Sequence, residues 1–312
     1  MPSLGLITNP HSRANKRDPT LPSALADVLG GAGEVAMPDG LQAMRDQLSA
    51  WKTDGLHTLA IHGGDGTAHR VVTALIEVWG EDPLPRLAML RGGTMNIIAN
   101  SLGQRCAATP SVRRLVEKSS TLPLLPTWTL RIEGSEGVHH GFLFGNGIIG
   151  RYLERYYEGG PPTPAKAAWI LARGIGSALV GGAYARDLSR PFHGRVRVDD
   201  DDWGEGPWTA ITAGTVEQLG LGFRAFYLAP KNPGYLHAIG IGSTVLHLAR
   251  DLPRAYRALP FQQAGNRGVA AQRIEMTSDE RIGFMIDGDF HTSDDSLVVS
   301  TGPCLQIIDL SG

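Results

Sequence analysis

The stretch IHGGDGTAHRVV, Ile61 to Val72, gives the strongest indication of the fold. An apolar run, LHTLAI, leads into three glycines around one aspartate, and a run with helical spacing, AHRVVTALIEVW, follows them. This order predicts a buried strand, a turn of nearly bare backbone, and then a helix. Because glycine lets a ligand approach the main chain and a helix start offers N–H groups, the turn is typical of a phosphate site.

Two further loops follow the same plan. LRGGTMNIIANSLG, Leu90 to Gly103, follows an apolar strand and opens a helix, and TNPHSR, Thr8 to Arg13, ends the first predicted strand. Because ligands of open α/β sheets bind at the carboxyl ends of the strands, we expect all three loops at one edge of one sheet. The geometry of a tight turn alone would explain a single loop of this kind. Three such loops at one edge favour a binding site for a nucleotide triphosphate. Neither glycine loop has the Walker A or G-x-G-x-x-G pattern.

The pattern of secondary structure changes near residue 125. Before it, strand and helix signals alternate, which predicts a nucleotide-binding α/β domain with a parallel, Rossmann-like sheet over residues 1–125. After it, strand-like runs broken by glycine and acidic turns predict a β-rich, sandwich-like domain over residues 126–312, with helical inserts near 151–186 and 243–259. The last strand could return to the first domain. We interpret LPLLPT as a linker and the acidic run at 199–202 as a hairpin tip.

Composition restricts the class of protein. The 312 residues are 42% hydrophobic with a net charge of −2, an ordinary globular mixture without the basic footprint of a nucleic-acid binder. Cys106 and Cys304 lie far apart, which predicts thiols in a reducing compartment. No apolar run reaches the about 20 residues of a membrane span, and no signal-peptide cleavage site follows the first apolar residues. We therefore expect a cytoplasmic protein.

The motifs resemble those of the diacylglycerol kinase catalytic-domain superfamily, which includes bacterial lipid kinases, sphingosine kinases and ceramide kinases. GGDGT at 63–67 and GGTMN at 92–96 resemble its two glycine loops, and Asn9-Pro10 with Ser12 resembles its opening Asn-Pro-x-Ser element. FGNGIIG at 144–150 and IDGD at 286–289 resemble its later motifs, an asparagine segment and an Asp-Gly-Glu. The similarity therefore extends over nearly the whole chain.

This resemblance implies a reaction and a place for it. The family has an α/β nucleotide domain and a β-rich domain, with the active site in the cleft between them. The implied reaction moves the γ-phosphoryl group of ATP, with Mg²⁺, to a lipid hydroxyl of diacylglycerol, ceramide or a sphingoid base. The lipid acceptor implies a cytoplasmic protein that associates peripherally with a membrane surface, and no nucleic-acid partner is expected.

The resemblance also implies roles for individual residues. In bacterial lipid kinases the carboxylate at the position of Asp289 is the proposed proton acceptor, and in sphingosine kinases it is the aspartate of the glycine loop, here Asp65. We favour Asp289 as base, with Asp65 serving the metal or the proton transfer, and Asp287 as a metal ligand or a cap of its turn. The predicted nucleotide-binding residues are Asn9, Gly63, Gly64, Asp65, Gly66, Thr67, Gly93, Thr94 and Asn96.

The chain departs from the family pattern at several positions. Ile97 and Pro233 stand where members carry aspartates, Asp289 stands where they carry glutamate, and Met37-Pro38 replaces a threonine that often follows the second strand. Two alternatives therefore stay open: an NAD kinase-like enzyme, since GGDGT occurs there too, and a nucleotide- or lipid-binding protein without catalysis.

Two amphipathic segments bear on the membrane prediction. Ala165 to Tyr184 and Thr244 to Leu259 mix apolar residues with arginines. Such segments either dock on an anionic bilayer or cover the core of their own domain. The sequence leaves both interpretations open.

Overall fold

The computed structural model describes residues 3–160 and 163–311. The chain divides into two units. The first runs to Thr127 and resumes at Cys304, and the second is Trp128–Pro303.

The first unit is an α/β layer built on parallel strands. Its strands are β1 (Leu4–Thr8), β2 (Gly33–Ala36), β3 (Thr58–Gly63) and β4 (Arg86–Arg91), and its helices are α1 (Arg13–Arg17), α2 (Leu21–Leu29), α3 (Gly40–Thr53), α4 (Asp65–Trp79), α5 (Ile97–Ser101) and α6 (Ala108–Lys118). The strands pair in parallel in the order β2-β1-β3-β4. Beyond β4 the last residues of the chain add one more parallel partner, with Ile307 opposite Leu87.

Apolar spacing explains the helices of this unit. In α3 the residues Leu41, Met44, Leu48 and Trp51 have helical spacing; the last three are buried and Leu41 is exposed, and Trp51 donates from Nε1 to Glu34 at 2.9 Å. Every residue of β1 and β3 is buried. Such fully buried strands are expected in a parallel sheet that is covered on both faces. The sheet is thereby held rigid behind the loops that leave its carboxyl edge.

The second unit is built from antiparallel strands. They are β5 (Leu124–Gly134), β6 (Gly137–Gly141), β7 (Leu143–Asn146), β8 (Arg195–Val198), β9 (Asp201–Glu205), β10 (Ala210–Gly214), β11 (Leu236–Ile241), β12 (Asn266–Ala271), β13 (Arg273–Thr277), β14 (Ile282–Ile286), β15 (Asp289–Ser293) and β16 (Ser296–Ile308). The helices are α7 (Ile148–Tyr157), α8 (Pro164–Leu179), α9 (Ala183–Leu188) and α10 (Val245–Tyr256). The first residues of β5 and the last of β16 belong to the first unit.

Two groups of strands enclose the core of this unit. One sheet has the order β12-β11-β10-β7-β14-β15, and every pairing in it is antiparallel. In the other group β13 lies between β16 and β8, β9 follows β8, and the β5–β6 hairpin joins through β16. Alternate residues of β14, namely Ile282, Phe284 and Ile286, point into a core shared with Val196 and Ile274.

The predicted fold class is confirmed. A parallel α/β sheet and a separate antiparallel sheet are both present. The hairpin tip is confirmed for Asp199 and Asp200, which connect β8 and β9, with φ at 49° for Asp199, whereas Asp201 and Asp202 open β9. The helical inserts became α7, α8 and α9 in one segment and α10 in the other, with residues 161–162 of the first insert outside the described residues.

Two features differ from the sequence expectations. The predicted linker LPLLPT is wrong from Leu124 onward, because these residues open strand β5 and Pro126 lies exposed within it. Helix α6, with Val112 and Leu115 fully buried, was not predicted. Within residues 3–160 and 163–311, no helix has the length and apolar character that a membrane crossing needs.

Candidate functional site

Three loops meet at the carboxyl edge of the parallel sheet, as the sequence predicts. They follow β1, β3 and β4. The amide of Asn9 donates to the carbonyl of His62 at 3.1 Å, and that of Gly92 to the carbonyl of Gly63 at 2.9 Å. The amide of Ala14 donates to Gly92 at 3.0 Å and ties the first loop to the third. We call residues 9, 63–67 and 92–96 the glycine-loop edge.

The two glycine loops contact each other through their main chains. A Cβ atom on Gly93 would lie 2.4 Å from the Cα of Gly64, a separation that side-chain carbons do not reach without backbone movement. A Cβ on Gly63 would lie 2.5 Å from the Cβ of Thr67. Glycine is therefore required here for close packing of backbone on backbone. The result is a surface of peptide groups that no side chain screens at these positions.

The first loop is fastened by its asparagine. Asn9 donates from Nδ2 to the hydroxyl oxygen of Thr67 at 2.9 Å and accepts from the amide of His11 at 2.8 Å. Thr67 is itself buried in the first turn of α4. Asn9 and Thr67, both predicted to bind the nucleotide, are therefore hydrogen-bonded to each other.

Asn15 is a residue of this site that the sequence reasoning missed. It is buried and donates from Nδ2 to the Thr8 hydroxyl oxygen at 2.9 Å and to the Asn9 carbonyl at 2.7 Å. Its Oδ1 atom is buried without a hydrogen-bond partner among the described residues. The only sequence signal is one amide within the basic run RANKR, which gave no reason to expect burial.

The second glycine loop is closed by Asn96. This residue has a left-handed backbone, with φ at 49°, and precedes the first residue of α5. Its Oδ1 accepts from the amide of Gly93 at 2.8 Å, and its Nδ2 donates to the carbonyl of Gly93 at 3.0 Å. Asn96 therefore shapes the loop on which the half-buried Thr94 lies. A direct contact of Thr94 or Asn96 with a nucleotide stays a prediction.

Asp65 connects the two glycine loops. It is the first residue of α4, is half-buried, and accepts at Oδ1 from the amide of Ile98 at 3.1 Å. Burial raises the pKa of the Asp65 carboxyl above its usual value, although the amides of Ile98 and Ile97 act in the opposite direction. A carboxylate with a raised pKa at a helix start suits proton transfer. It also fixes the register between α4 and α5.

His62 is a structural residue beneath these loops. Its side chain is completely buried, and Nδ1 lies 2.8 Å from the hydroxyl oxygen of Thr8. Burial lowers the pKa of His62 to about 4, against a backbone hydrogen bond at Arg91 that raises it. The imidazole is therefore neutral near pH 7 and orders the ends of β1 and β3. Arg91 itself donates to the carbonyl of Arg105 at 2.9 Å.

The glycine-loop edge has the electrostatic character of an anion site. The first four N–H groups of a helix have no acceptor within that helix, and its dipole places partial positive charge at the same end. In α4 these groups belong to the turn that begins with Asp65, beside the bare surface at Gly64 and Gly93. Backbone N–H groups and absent side chains together fit the phosphates of a nucleotide.

The two remaining predicted carboxylates lie on one turn of the second unit. Asp287 and Gly288 form the two-residue connection between β14 and β15, with φ at 48° and 94°. Positive φ at both central positions is the mark of a type I′ hairpin, for which Asp-Gly is a preferred sequence. Asp289 is the first residue of β15, opposite Ile286, and is half-buried.

The side chain of Asp287 holds this turn in place. It is buried, and its carboxylate accepts from the amide of Phe142 at 3.0 Å and from that of Leu143 at 2.8 Å. The amide of Asp287 donates to the carbonyl of Leu143 at 3.0 Å. The capping role that the sequence left open is therefore present. The predicted metal role of Asp287 stays a prediction.

The position of the missing family aspartate offers no metal ligand. Pro233 is exposed in a turn that follows a short 3-10 segment, Ala229–Lys231. A proline side chain has no donor atom, so a metal held near this turn would depend on other residues.

The second unit also contains a cavity of about 250 Å³ that the sequence reasoning missed. Helix α7 contributes Arg151 and Glu154, and the β14–β15 hairpin contributes Phe290 and Thr292. Asn146 lines it too; its Oδ1 accepts from the amide of Ile211 at 2.6 Å, and its buried Nδ2 has no partner within the described part of the chain. This lining suits a small polar group that can accept hydrogen bonds.

The sheet and its glycine loops form a backbone surface of the kind that binds phosphates. Residues 3–122 match the family model of the diacylglycerol kinase catalytic domain, and the resemblance found in the sequence is confirmed for this segment. No curated protein matches the chain by sequence.

Solved structures agree on the fold of the whole chain. A diacylglycerol kinase from Bacillus anthracis str. Sterne superposes with a TM-score of 0.64 at 16% identity, covering 98% of this chain and 96% of the other. A candidate diacylglycerol kinase from the same organism superposes with a TM-score of 0.69 at 16% identity, covering 99% and 98%. At this identity the similarity concerns the fold alone.

Proposed function

We propose that this protein is an ATP-dependent lipid kinase that transfers the γ-phosphoryl group to a lipid hydroxyl. The observation that carries the proposal is the glycine-loop edge, where Gly64 and Gly93 pack backbone on backbone beside the start of α4. The family match of residues 3–122 supports the choice of a lipid kinase over other phosphotransferases. Diacylglycerol, ceramide and a sphingoid base are the acceptors that the family suggests.

The chain's own residues would share the work as follows. The amides of the first turn of α4 and of the loop closed by Asn96 hold and orient the phosphates, because no side chain blocks their approach. Asn9 and Thr67 keep the first and second loops in register. Asp65 keeps α4 and α5 in register, and its raised pKa also suits it to take part in proton transfer.

The proton of the acceptor hydroxyl would pass to Asp289. As the acceptor oxygen bonds to the γ-phosphorus, the bond from phosphorus to the β–γ bridging oxygen breaks, ADP keeps that electron pair, and the carboxylate takes the proton. Asp287 supports this step by fixing the turn through its bonds to Phe142 and Leu143.

ATP and Mg²⁺ are the cofactors that the proposal requires. ATP fits the glycine-loop edge because the edge is made of peptide groups, and Mg²⁺ would supply charge neutralisation on its phosphates. The carboxylates of Asp65 and Asp287 are the candidate ligands. Carboxylate oxygens are the ligands that Mg²⁺ takes from proteins, and backbone hydrogen bonds position both of these carboxylates.

The location follows from the acceptor. A lipid hydroxyl is reached at a bilayer surface, so we propose a cytoplasmic protein that binds a membrane peripherally.

The test is phosphoryl transfer with γ-labelled ATP and Mg²⁺, offered diacylglycerol, sphingosine, ceramide and NAD in separate reactions. We expect label in an organic-phase product with one of the three lipids. Label in NADP would show an NAD kinase-like enzyme. Tight ATP binding, measured by calorimetry, without transfer to any acceptor would show a nucleotide-binding protein without catalysis.

A further inference from the structure

Helix α8 is apolar on the side that faces the protein and also on the side that faces water. Ala167, Ile170 and Gly174 are buried. The opposite stripe is exposed and consists of Ala165, Ala168, Trp169, Ala172, Arg173, Gly176, Leu179 and Val180. This stripe holds one charged residue and no acidic one, whereas a surface helix normally presents charged and polar residues to water. The alternative that such a helix only covers the core of its own domain explains one side of α8 alone.

The most exposed apolar residues lie at the end of this helix. Leu179 is 66% exposed, Val180 is 82% exposed and Trp169 is 56% exposed. Gly181 and Gly182 follow and turn the chain away. A Leu-Val tip with a tryptophan two to three turns behind it is the composition of a helix that rests in the boundary between lipid head groups and acyl chains.

Helix α10 also exposes apolar residues. It packs against α8, and Tyr256 and Leu259 at its carboxyl end are 58% and 42% exposed. We call Trp169, Leu179, Val180, Tyr256 and Leu259 the docking face.

The helices that carry the docking face, and the helix α9 that packs against α8, have an excess of positive charge. Helices α8, α9 and α10, with the residue that ends α10, carry six basic residues and two acidic ones. Asp187 pairs with Arg155 at 2.5 Å, and Asp251 is buried and accepts from the amides of Gln262 and Gln263. The acidic charges are thereby engaged within the unit. The basic residues are Lys166, Arg173, Arg186, Arg250, Arg254 and Arg257.

Arg173 shows how charge and apolar surface combine. Its guanidinium lies 5.0 Å from the ring centre of Trp169 and 4.2 Å from that of Tyr184. The aromatic rings hold the cation within the apolar stripe. A positive charge at this position attracts the phosphate groups of an anionic lipid surface.

We propose that the docking face binds an anionic lipid bilayer. The inference rests on the proposed function in one respect, since a lipid kinase must reach an acceptor within a membrane. A second copy of this chain fits the face less well, because self-pairing would bring two sets of arginines together. An anionic bilayer takes up the apolar tip and attracts the surrounding cations at the same time.

Vesicle sedimentation tests the proposal. The probes are vesicles of phosphatidylcholine alone and of phosphatidylcholine with phosphatidylglycerol, and the variant is Leu179→Glu with Val180→Glu. The matched control is Met37→Glu with Leu41→Glu, which adds the same charge at apolar residues that are 53% and 44% exposed in the first unit. We expect the wild type to prefer anionic vesicles, the docking variant to bind them at least about tenfold more weakly, and the control to bind like the wild type.

The other outcomes decide against the proposal. Equal binding by the docking variant and the wild type, or equal binding to neutral and anionic vesicles, would overturn it. So would a dimer in light scattering that Leu179→Glu with Val180→Glu dissociates, because the face would then serve a second copy.

A kinase readout separates this inference from the proposed function. With a short-chain diacylglycerol dissolved as monomers, the docking variant should turn over like the wild type, and with the same acceptor class embedded in vesicles its rate should fall with its binding. Absence of turnover with both the dissolved and the vesicle-embedded acceptor would contradict the proposed function. The vesicle-binding measurement would then be the test of the docking face.

Discussion

Two Asp-Gly pairs of the molecule, Asp65-Gly66 and Asp287-Gly288, carry candidate functional carboxylates, and they differ in what the carboxylate does. At the glycine-loop edge the half-buried Asp65 starts a helix and accepts from Ile98 across a separation of 33 residues. At the β14–β15 turn the buried Asp287 accepts from Phe142 and Leu143 and anchors a hairpin to a neighbouring strand. Sequence motifs mark both as functional. The structure shows that each first stabilises a backbone, so Asp289 becomes the carboxylate whose loss should separate function from folding.

The largest effect is expected at Asp289. Asp289→Asn removes the proposed proton acceptor at nearly constant volume, so turnover with the lipid acceptor should fall by about 10²- to 10⁴-fold. ATP affinity by calorimetry and the unfolding midpoint should stay close to those of the wild type. Asp289→Glu restores a carboxylate and should recover most of the turnover.

A different result would move the proton acceptor to the first unit. If Asp289→Asn keeps its turnover while Asp65→Asn loses it without losing stability, Asp65 is the base. The catalytic carboxylate would then lie at the start of α4 and not beside the β14–β15 turn.

The parts of the fold that could be predicted are those fixed by local pattern. Alternating strand and helix signals predicted the parallel sheet. The glycine loops after β3 and β4 predicted the position of the candidate site, because parallel strands all end at the same edge. The hairpin tip at Asp199 also follows from local composition. These features need only the residues next to one another in the chain.

The parts that could not be predicted depend on distant partners. LPLLPT resembles a linker because of its prolines, yet it opens a strand whose Thr129 bonds to the carbonyl of Pro303 at 3.1 Å, 174 residues away. The bond from Ile98 to Asp65 and the cavity at Asn146 likewise join segments that no periodicity relates. Local composition cannot show that a polar residue will be buried by another part of the chain.

The two units can be compared through one buried histidine in each. Burial lowers the pKa of His62 in β3 to about 4, and that of His237 in β11 to about 4. In the unfolded chain a histidine pKa is near 6.5. Between these values the unfolded chain binds more protons, so each histidine's contribution is complete above about pH 7 and is lost as the pH falls toward about 4.

The expected loss for each histidine at pH 5 is about 2 kcal/mol in the free energy of unfolding. Urea unfolding at pH 7 and pH 5 measures it, and His62→Gln and His237→Gln should each show a smaller difference between the two pH values than the wild type. Asp65, whose pKa is raised, contributes with the opposite sign, so the comparison with each variant is the readout. An unchanged pH dependence in either variant would contradict a neutral buried histidine at that position.

A smaller effect should distinguish the capping role of Asp287 from its predicted metal role. Asp287→Ala leaves the buried amides of Phe142 and Leu143 without an acceptor and should lower the free energy of unfolding by about 2 kcal/mol. Asp287→Asn keeps an acceptor oxygen and tolerates the positive φ, so its loss should be less than half as large. If the carboxylate only caps the turn, Asp287→Asn should show the wild-type Mg²⁺ dependence of turnover; a strongly raised Mg²⁺ requirement at native stability would assign it to the metal.

The smallest expected effect on stability tests the backbone contact at the glycine-loop edge. Gly93→Ala places a methyl group 2.4 Å from the Cα of Gly64, so the two loops must separate by roughly an ångström to restore van der Waals contact. We expect a loss of about 1 kcal/mol in the free energy of unfolding, because two loops can move apart more readily than a packed core, and a larger relative loss of ATP affinity, because the amides no longer converge. Gly31→Ala, where an added Cβ meets no atom within 4 Å, is the control and should match the wild type in both measurements. If Gly93→Ala binds ATP normally, the phosphates do not depend on the approach of these two loops, and the resemblance between the loop sequences would no longer explain where the nucleotide binds.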